Sequence, residues 1–460
     1  MFRALLAIMV SCPLVVTVGA EFRIGAATVR ITPDQPMPMA GYYGVRLSTN
    51  THDELLAKAI VLDDGRTKAA LVVCDLISLP RAVVAQAREI IAPTTSVPGA
   101  NVMISATHSH TGPVLDTGSS RKSVDGGGSA VVRDYTAQLP GKIAESVRLA
   151  EATLQSARLS VAHEREDHLS HNRRFIMKDG AVGWNAGKLN TNIVRAVGPI
   201  DSDVAVLYFE SQRTNAIATY VNFAMHPDTV GGLEFSADYP GALSRLLGEY
   251  KGTNMVTVFA NGACGNINHV DVNWAAAQKG QAEAARLGTV LAGNVFKAYT
   301  RMQMLNGTAL RVRSEMVSLP LPELKPGDVE AARAIVARVG TTNAPKFLEQ
   351  VNAFKVLDVA ARDGKPQEVE VQVIALGDDL AWVSLPGEIF IELGLEIKKK
   401  SPFRHTLIAE LANGAIGYIP NQKAFDEGNY EPVSARCAKG SGEMLVESAL
   451  KLLRESKRGP

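Results

Sequence analysis

Residues 69–113 read AALVVCDLISLPRAVVAQAREIIAPTTSVPGANVMISATHSHTGP. The run Ala69–Leu76 is short, apolar and β-branched, the pattern of a buried strand. Arg81 to Ala92 spaces its apolar residues at helical intervals, and Asn101 to Ala106 is strand-like again. The last strand runs directly into His108-Ser109-His110 and then into the turn Gly112-Pro113. On extended backbone residues i and i+2 project to the same side, so both imidazoles can enter one site at a strand end.

The same alternation continues outward from this stretch. Lys142 to Leu154 reads as a helix. Asp203–Phe209 and Ala216–Phe223 read as a hairpin around the polar segment Ser211 to Thr214. Pro240 to Tyr250 opens with a proline suited to a helix start. Met255–Phe259 is a strand, and Asn273 to Arg301 is a long Ala-rich helical stretch. Val329 to Ala361 holds two helices joined near Gly340. Val369–Leu376 and Leu380–Leu385 flank the turn Gly377-Asp378-Asp379, and Glu388 to Lys400 is an amphipathic helix. Interleaved strands and helices with some adjacent strand pairs predict an α/β (mixed α+β) fold, with a mixed β-sheet flanked by helices. No linker composition divides the chain, so residues 21–460 are read as one large catalytic domain. The glycine-rich segment Gly112 to Ser129 is expected to be a mobile surface loop or lid.

With 48 Lys+Arg against 47 Asp+Glu, the formal net charge is +1, which excludes a typical nucleic-acid binder. Arg3, the apolar stretch Leu5–Val18 and the small residues Val18-Gly19-Ala20 read as a secretory signal peptide over residues 1–20, cleaved after Ala20. The rival lipoprotein reading at Cys12 has too short an apolar run before it. No later segment has the roughly 20 apolar residues of a spanning helix, so the protein is expected to be secreted or periplasmic. The cysteines beyond residue 20 are Cys74, Cys264 and Cys437. They form no C-x-x-C pair, and their odd number leaves a free thiol.

His226 ends the apolar run Tyr220–Met225 and precedes Pro227, a setting like that of His108 and His110. Three imidazoles at strand ends make a candidate zinc site. Such a site calls for a carboxylate as well. Glu388, in Leu385-Pro386-Gly387-Glu388, and Asp238, in Ser236-Ala237-Asp238-Tyr239-Pro240, both qualify. Each is equally readable as a helix-start or turn residue. Asp75 follows a strand but has no evident partner. No Gly-x-Ser-x-Gly nucleophile motif and no phosphate-cradling Gly-x-x-x-x-Gly-Lys-Ser/Thr loop is present.

Several segments together resemble the neutral/alkaline non-lysosomal ceramidases. They are Ile24–Ala27 through Ile31-Thr32-Pro33 to Met39–Tyr42, Ala106–Pro113, Asn172-Arg173, His226, Ala260–Asn266, Pro386-Gly387-Glu388, Gly417-Tyr418 and Tyr430-Glu431. The resemblance implies a Zn2+ ion held by His108, His226, Glu388 and Tyr418. It implies that His110 is a second active-site histidine, that Arg173 lies near the reacting carbonyl, and that Tyr430 is a further active-site tyrosine. It implies hydrolysis of an N-acyl amide, ceramide or a related N-acyl lipid, by zinc-activated water. In that scheme His110 carries protons while Arg173 and Tyr430 stabilise the carbonyl oxygen. Zinc chemistry on a small soluble amide, ester or sugar derivative is the alternative, and a non-catalytic binding protein is another.

Three departures from the family stand out. Gly262 takes the place of a serine, the segment Pro432–Cys437 differs, and Pro460 follows the match so closely that no C-terminal immunoglobulin-like domain is expected. The expected partner is a small-molecule or lipid substrate, with peripheral membrane contact and no nucleic acid. Because aromatic residues make up only 6% of the chain, the wall of a substrate cleft is expected to consist of Val, Leu, Ile and Met.

Overall fold

A computed structural model describes residues 21–458; the expected signal peptide, residues 1–20, lies outside them. The central sheet runs in the order Val256–Asn261, Ala216–Phe223, Asp203–Ser211, Gln155–Arg165, Arg23–Arg30, Leu56–Asp63, Lys68–Cys74, Val102–Ala106. Its inner pairings are antiparallel, and the pairing at each edge is parallel. The mixed sheet predicted from the interleaving is therefore present.

Both faces of this sheet are covered, so its strands read as apolar runs rather than as alternations. In Leu56–Asp63, Ala57, Ala59 and Val61 face a core shared with the helices Arg81–Thr94 and Ala130–Ala152. Ile60 and Leu62 face the other way. The helices Asp238–Lys251 and Gln281–Tyr299 cover the remainder of the helical side, over Val204, Val206, Val221 and Phe259. The opposite face packs on a second sheet, ordered Leu310–Leu319, Gln367–Leu376, Leu380–Ser384, His405–Ala409. The inter-sheet core joins Leu207 and Phe209 to Trp382 and Leu407. Beyond the second sheet lie the helices Ile391–Lys400 and Ser441–Lys457. The layers are thus helices, large sheet, small sheet, helices.

The two parallel edges of the large sheet curl toward one another. The Asn261 side-chain amide donates to the Thr107 carbonyl (3.4 Å) and its oxygen accepts from Met225 N (3.2 Å). The C-terminal ends of the strands that lead into His108 and His226 therefore meet, although the two strands stand far apart in the sheet order.

Several elements differ from the sequence reading. The helix expected from Lys142 begins at Ala130 and runs through Pro140. One lost backbone donor at Pro140 is outweighed by burial of Val132, Leu139, Ile143 and Val147. The helix expected from Asn273 begins only at Gln281, because Gln278 and Gly280 adopt left-handed backbone. Gln278 also binds Asp271 N and Trp274 O through its side chain. The helix expected from Glu388 starts at Ile391. Glu388–Ile389 is instead a short strand paired parallel with Tyr418–Ile419. Two-sided backbone bonding won there over helix propensity. All three described cysteines are free and buried, and no helix among the described residues is long and apolar enough to cross a membrane.

The inter-sheet core supplies a test of this layering. Trp382 is completely buried between the sheets. Replacing it with Ala should lower the unfolding free energy by about 3–5 kcal/mol, measured by urea denaturation.

Candidate metal centre

His108 follows the edge strand in a left-handed conformation, φ +75°. This backbone turns its ring inward, where Nδ1 donates to the Ile77 carbonyl (2.8 Å). A carbonyl can only accept, so Nδ1 carries a proton and Nε2 is the atom that faces the interior. His226 arrives from the opposite sheet edge, its backbone N–H donating to Ile267 O (3.3 Å). The two imidazole centroids are 4.5 Å apart, and that of His110 lies 4.8 Å from that of His108. The ring nitrogens of His108, His110 and His226 converge within 4.8 Å of one another.

Glu388 enters from the short strand Glu388–Ile389, which follows the Leu380–Ser384 strand of the second sheet. Its Oε2 lies 3.4 Å from His108 Nε2 and 3.3 Å from His226 Nε2, is buried, and has no hydrogen bond. Burial opposes ionisation of Glu388, but the adjoining His108 imidazole outweighs it and holds the carboxyl well below the ordinary range. Burial pushes His226 down to about 3 and His110 down to about 4, keeping both rings neutral. Burial also acts against the charged form of His108, yet the Glu388 charge raises it above its ordinary value. Tyr418, the register partner of Glu388, brings its hydroxyl within reach of the Glu388 carboxylate and of Arg173. Burial keeps that phenol firmly protonated.

Arg173 Nε donates to Glu431 Oε1 (2.9 Å) and Nη2 to the Gly265 carbonyl (2.7 Å); Nη1 reaches His226 Nε2 (3.3 Å). Glu431 also binds Arg174 (2.9 Å), so one buried carboxylate serves two buried guanidinium groups. The Tyr430 ring packs 5.3 Å from that of Tyr418. All seven residues singled out from the sequence, His108, His110, Arg173, His226, Glu388, Tyr418 and Tyr430, therefore gather in one place.

The donor set fits a metal ion. The Nε2 atoms of His108 and His226 flank a buried carboxylate oxygen that has no hydrogen bond, an arrangement whose cost a bound cation would remove.

Other candidates fall outside this cluster. The Asp238 carboxylate accepts from Thr229 N, Val230 N and Tyr239 N at 2.7–2.9 Å, closing a turn. Asp75 pairs with the buried Lys58 (3.0 Å) and stabilises the sheet. Gly262 packs so closely on Ala224 that a Cβ would lie 3.0 Å from the Ala224 methyl; it does not line the cleft.

Sequence reasoning missed Asp228, whose Oδ1 lies 3.3 Å from His110 Nδ1 and accepts from the Tyr42 hydroxyl (2.8 Å). Its one signal was its place two residues after His226. Glu410 was missed as well. It is fully buried and accepts from Cys264 N (3.0 Å), Ile389 N (2.9 Å) and the Cys264 thiol (2.9 Å). Burial pushes its carboxyl up to about 7. No local pattern marks it.

Four residues of the cluster, His110, Arg173, Tyr418 and Tyr430, line a cleft of about 1030 Å³, and His108, His226 and Glu388 are buried beside them. The cleft's wall is aromatic, not aliphatic as the composition led us to expect. Tyr43, Trp184, Phe347, Tyr418 and Tyr430 form a continuous set with neighbouring ring centroids 4.3–6.0 Å apart. A small aromatic total is concentrated in one place. The expected lid, Gly112 to Ser129, contributes nothing to the lining. Its first residues Gly112–Leu115 are buried, and Ser119 and Ser120 are tied to Asp358.

The chain is similar in structure to the neutral ceramidase from Pseudomonas aeruginosa. The TM-score is 0.73 at 18% sequence identity, over 95% of this chain and 75% of that one. It is similar also to a ceramidase complexed with C2, with a TM-score of 0.70 at 18% identity, over 95% of this chain and 76% of that one. At this identity the likeness establishes the fold, which is ceramidase-like, as the motifs implied. No protein-family model and no curated protein sequence matches the chain.

Two glycines make the site possible. A Cβ on Gly41, at φ +105°, would lie 2.7 Å from His110 Cβ, and one on Gly265 would lie 2.5 Å from the Glu388 carbonyl oxygen. Gly265→Ala should therefore displace Glu388 and destabilise the protein by about 1–3 kcal/mol, read as a shift in the denaturation midpoint.

Proposed function

We propose that the protein is an exported zinc-dependent hydrolase that cleaves an N-acyl amide bond. The observation that carries this reading is the unpaired Glu388 oxygen held between the Nε2 atoms of His108 and His226, buried beside His110, Arg173, Tyr418 and Tyr430, which line the cleft. His108, His226, Glu388 and Tyr418 would hold the ion. Bound zinc supplies a water activated near neutral pH and a Lewis acid for the carbonyl.

The remaining groups act around it. His110, neutral and beside Asp228, takes the proton of the attacking water and returns it to the leaving nitrogen. A proton on Nδ1, facing Asp228, leaves Nε2 free as the base. Arg173 is locked at Nε and Nη2, and Nη1, which lies 3.3 Å from His226 Nε2, would turn to the developing oxyanion once His226 holds the ion. The buried, neutral Tyr430 hydroxyl is a second donor. The aromatic wall suits the apolar part of an acyl substrate and excludes water from the reacting bond. The ceramidases of like fold make ceramide or a related N-acyl lipid the first substrates to test.

Zinc loading releases the protons its ligands carry. At about pH 6, below the raised ranges of His108 and Tyr418, about two protons per zinc should be expelled, and affinity should fall as the pH falls. Calorimetry in buffers of different ionisation enthalpy measures this number; about one proton would remove Tyr418 from the ligand set. His226→Ala should abolish zinc binding.

His110→Ala should keep its zinc and lose about 10²–10⁴-fold in rate, assayed on N-acyl amides of graded chain length. A zinc-loaded wild-type protein that hydrolyses none of them would overturn the amidase reading.

A further inference from the structure

Glu410 stands out among the buried acids. It is completely buried, and no lysine or arginine among the described residues pairs with it. Burying a carboxylate without a cation is costly unless several donors satisfy it. Three do so here, and all of them belong to Cys264 or Ile389. Ile389 is the neighbour of Glu388. The Cys264 sulfur lies 3.2 Å from His226 Nδ1. Glu410 thus touches the supports of two proposed ligands that come from different sheets.

The direction of the protons along this chain follows from chemistry alone. A guanidinium can only donate, so the contact between Arg173 Nη1 and His226 Nε2 requires a lone pair on Nε2, and Glu388 Oε2, 3.3 Å from the same nitrogen, accepts no hydrogen bond from it. The His226 proton therefore resides on Nδ1 and points at the Cys264 sulfur. With its sulfur accepting that bond, the thiol directs its own hydrogen to Glu410 Oε1.

We infer that Glu410, acting through Cys264, is a positioning residue that holds His226 in its metal-binding tautomer. This inference rests on the reading of His226 as a metal ligand. It adds that His226 is oriented by a thiol where a carboxylate or backbone carbonyl ordinarily serves. The thiol spans the distance that separates the acid from the ring.

A purely structural clamp predicts something different. Glu410 Oε2 binds the Cys264 and Ile389 backbone N–H groups whatever side chain stands at 264. Cys264→Ala therefore leaves the clamp and removes only the relay to His226. Cys264→Ser restores a group that both accepts and donates.

Two measurements on the full-length protein carry the test. Zinc affinity, by competition with a chelating dye, should fall about 10–100-fold in Cys264→Ala and stay within about threefold of wild type in Cys264→Ser. The nitrogen shifts of His226 in metal-free, 15N-histidine-labelled protein should report the Nδ1–H tautomer in wild type and Cys264→Ser. Cys264→Ala should report a mixture of tautomers. Unchanged affinity and an unchanged tautomer in Cys264→Ala would overturn the inference. If that variant does not fold, Glu410→Gln takes its place with the same expected shift, and an unshifted His226 there overturns it equally. Failure of the wild type to bind zinc would instead sink the hydrolase reading, while the metal-free tautomer would still decide the role of Cys264.

Discussion

The Gly265 N–H donates to the Ile389 carbonyl at 2.7 Å and the Glu410 N–H to the Asn261 carbonyl at 3.1 Å, and these backbone contacts join the large sheet to the strand that carries Glu388, where the candidate metal centre forms. His108 and His226 stand on the large sheet, and Glu388 comes from beyond the second. The ligands meet only if the turn after Val256–Asn261 lies flat against the strand Glu388–Ile389. A glycine at 265 permits the approach, since any side chain there would collide with the Glu388 carbonyl. Asn261 performs the corresponding task inside the large sheet, tying its two curled edges together.

Around this seam the protein buries far more charge than a stable fold needs. Arg173, Arg174 and Glu431 are all within 5% of full burial, and Glu410 is fully buried with no lysine or arginine among the described residues paired to it. Buried ion pairs seldom add net stability. Their distribution here follows the site: Arg173 contacts His226, Glu410 holds the backbone beside Glu388, and Glu431 with Arg174 fixes Arg173. The aromatic cluster of Tyr43, Trp184, Phe347, Tyr418 and Tyr430 closes the other side and supplies apolar area without polar competition near the reacting atoms.

Much of the architecture could be read from periodicity because both sheets are buried on two faces. Continuous apolar runs such as Ala69–Cys74 and Asp203–Phe209 then stand out against amphipathic helices such as Arg81–Thr94. The reading failed where a local preference and a tertiary contact disagree. Glu388 begins a segment with helical spacing, yet pairing with Tyr418 keeps it extended. Ala-rich residues after Asn273 have helical propensity, but the left-handed backbone at Gln278 and Gly280 delays the helix. Pro140 marks a helix end by propensity, and the core beneath it carries the helix through. Gly112 to Ser129 has loop composition, but its start is packed into the core.

The sequence by itself determined which chemistry the site could hold. His108-x-His110 and His226 after strand ends supply the imidazoles, although left-handed backbone at His108, not the extended backbone the spacing suggests, turns its ring into the site. The sequence determined the strands and helices as well, since period and polarity are local. Local pattern left Glu388 and Asp238 equal and only the family resemblance pointed to Glu388; the tertiary structure supplies the physical reason, since both follow turns and sheet stacking separates them. It alone brought in Asp228, Glu410 and Cys264, and gathered scattered aromatic residues into one wall. Those contacts span dozens to hundreds of residues, and no spacing along a chain encodes a distance that arises when two sheets pack face to face.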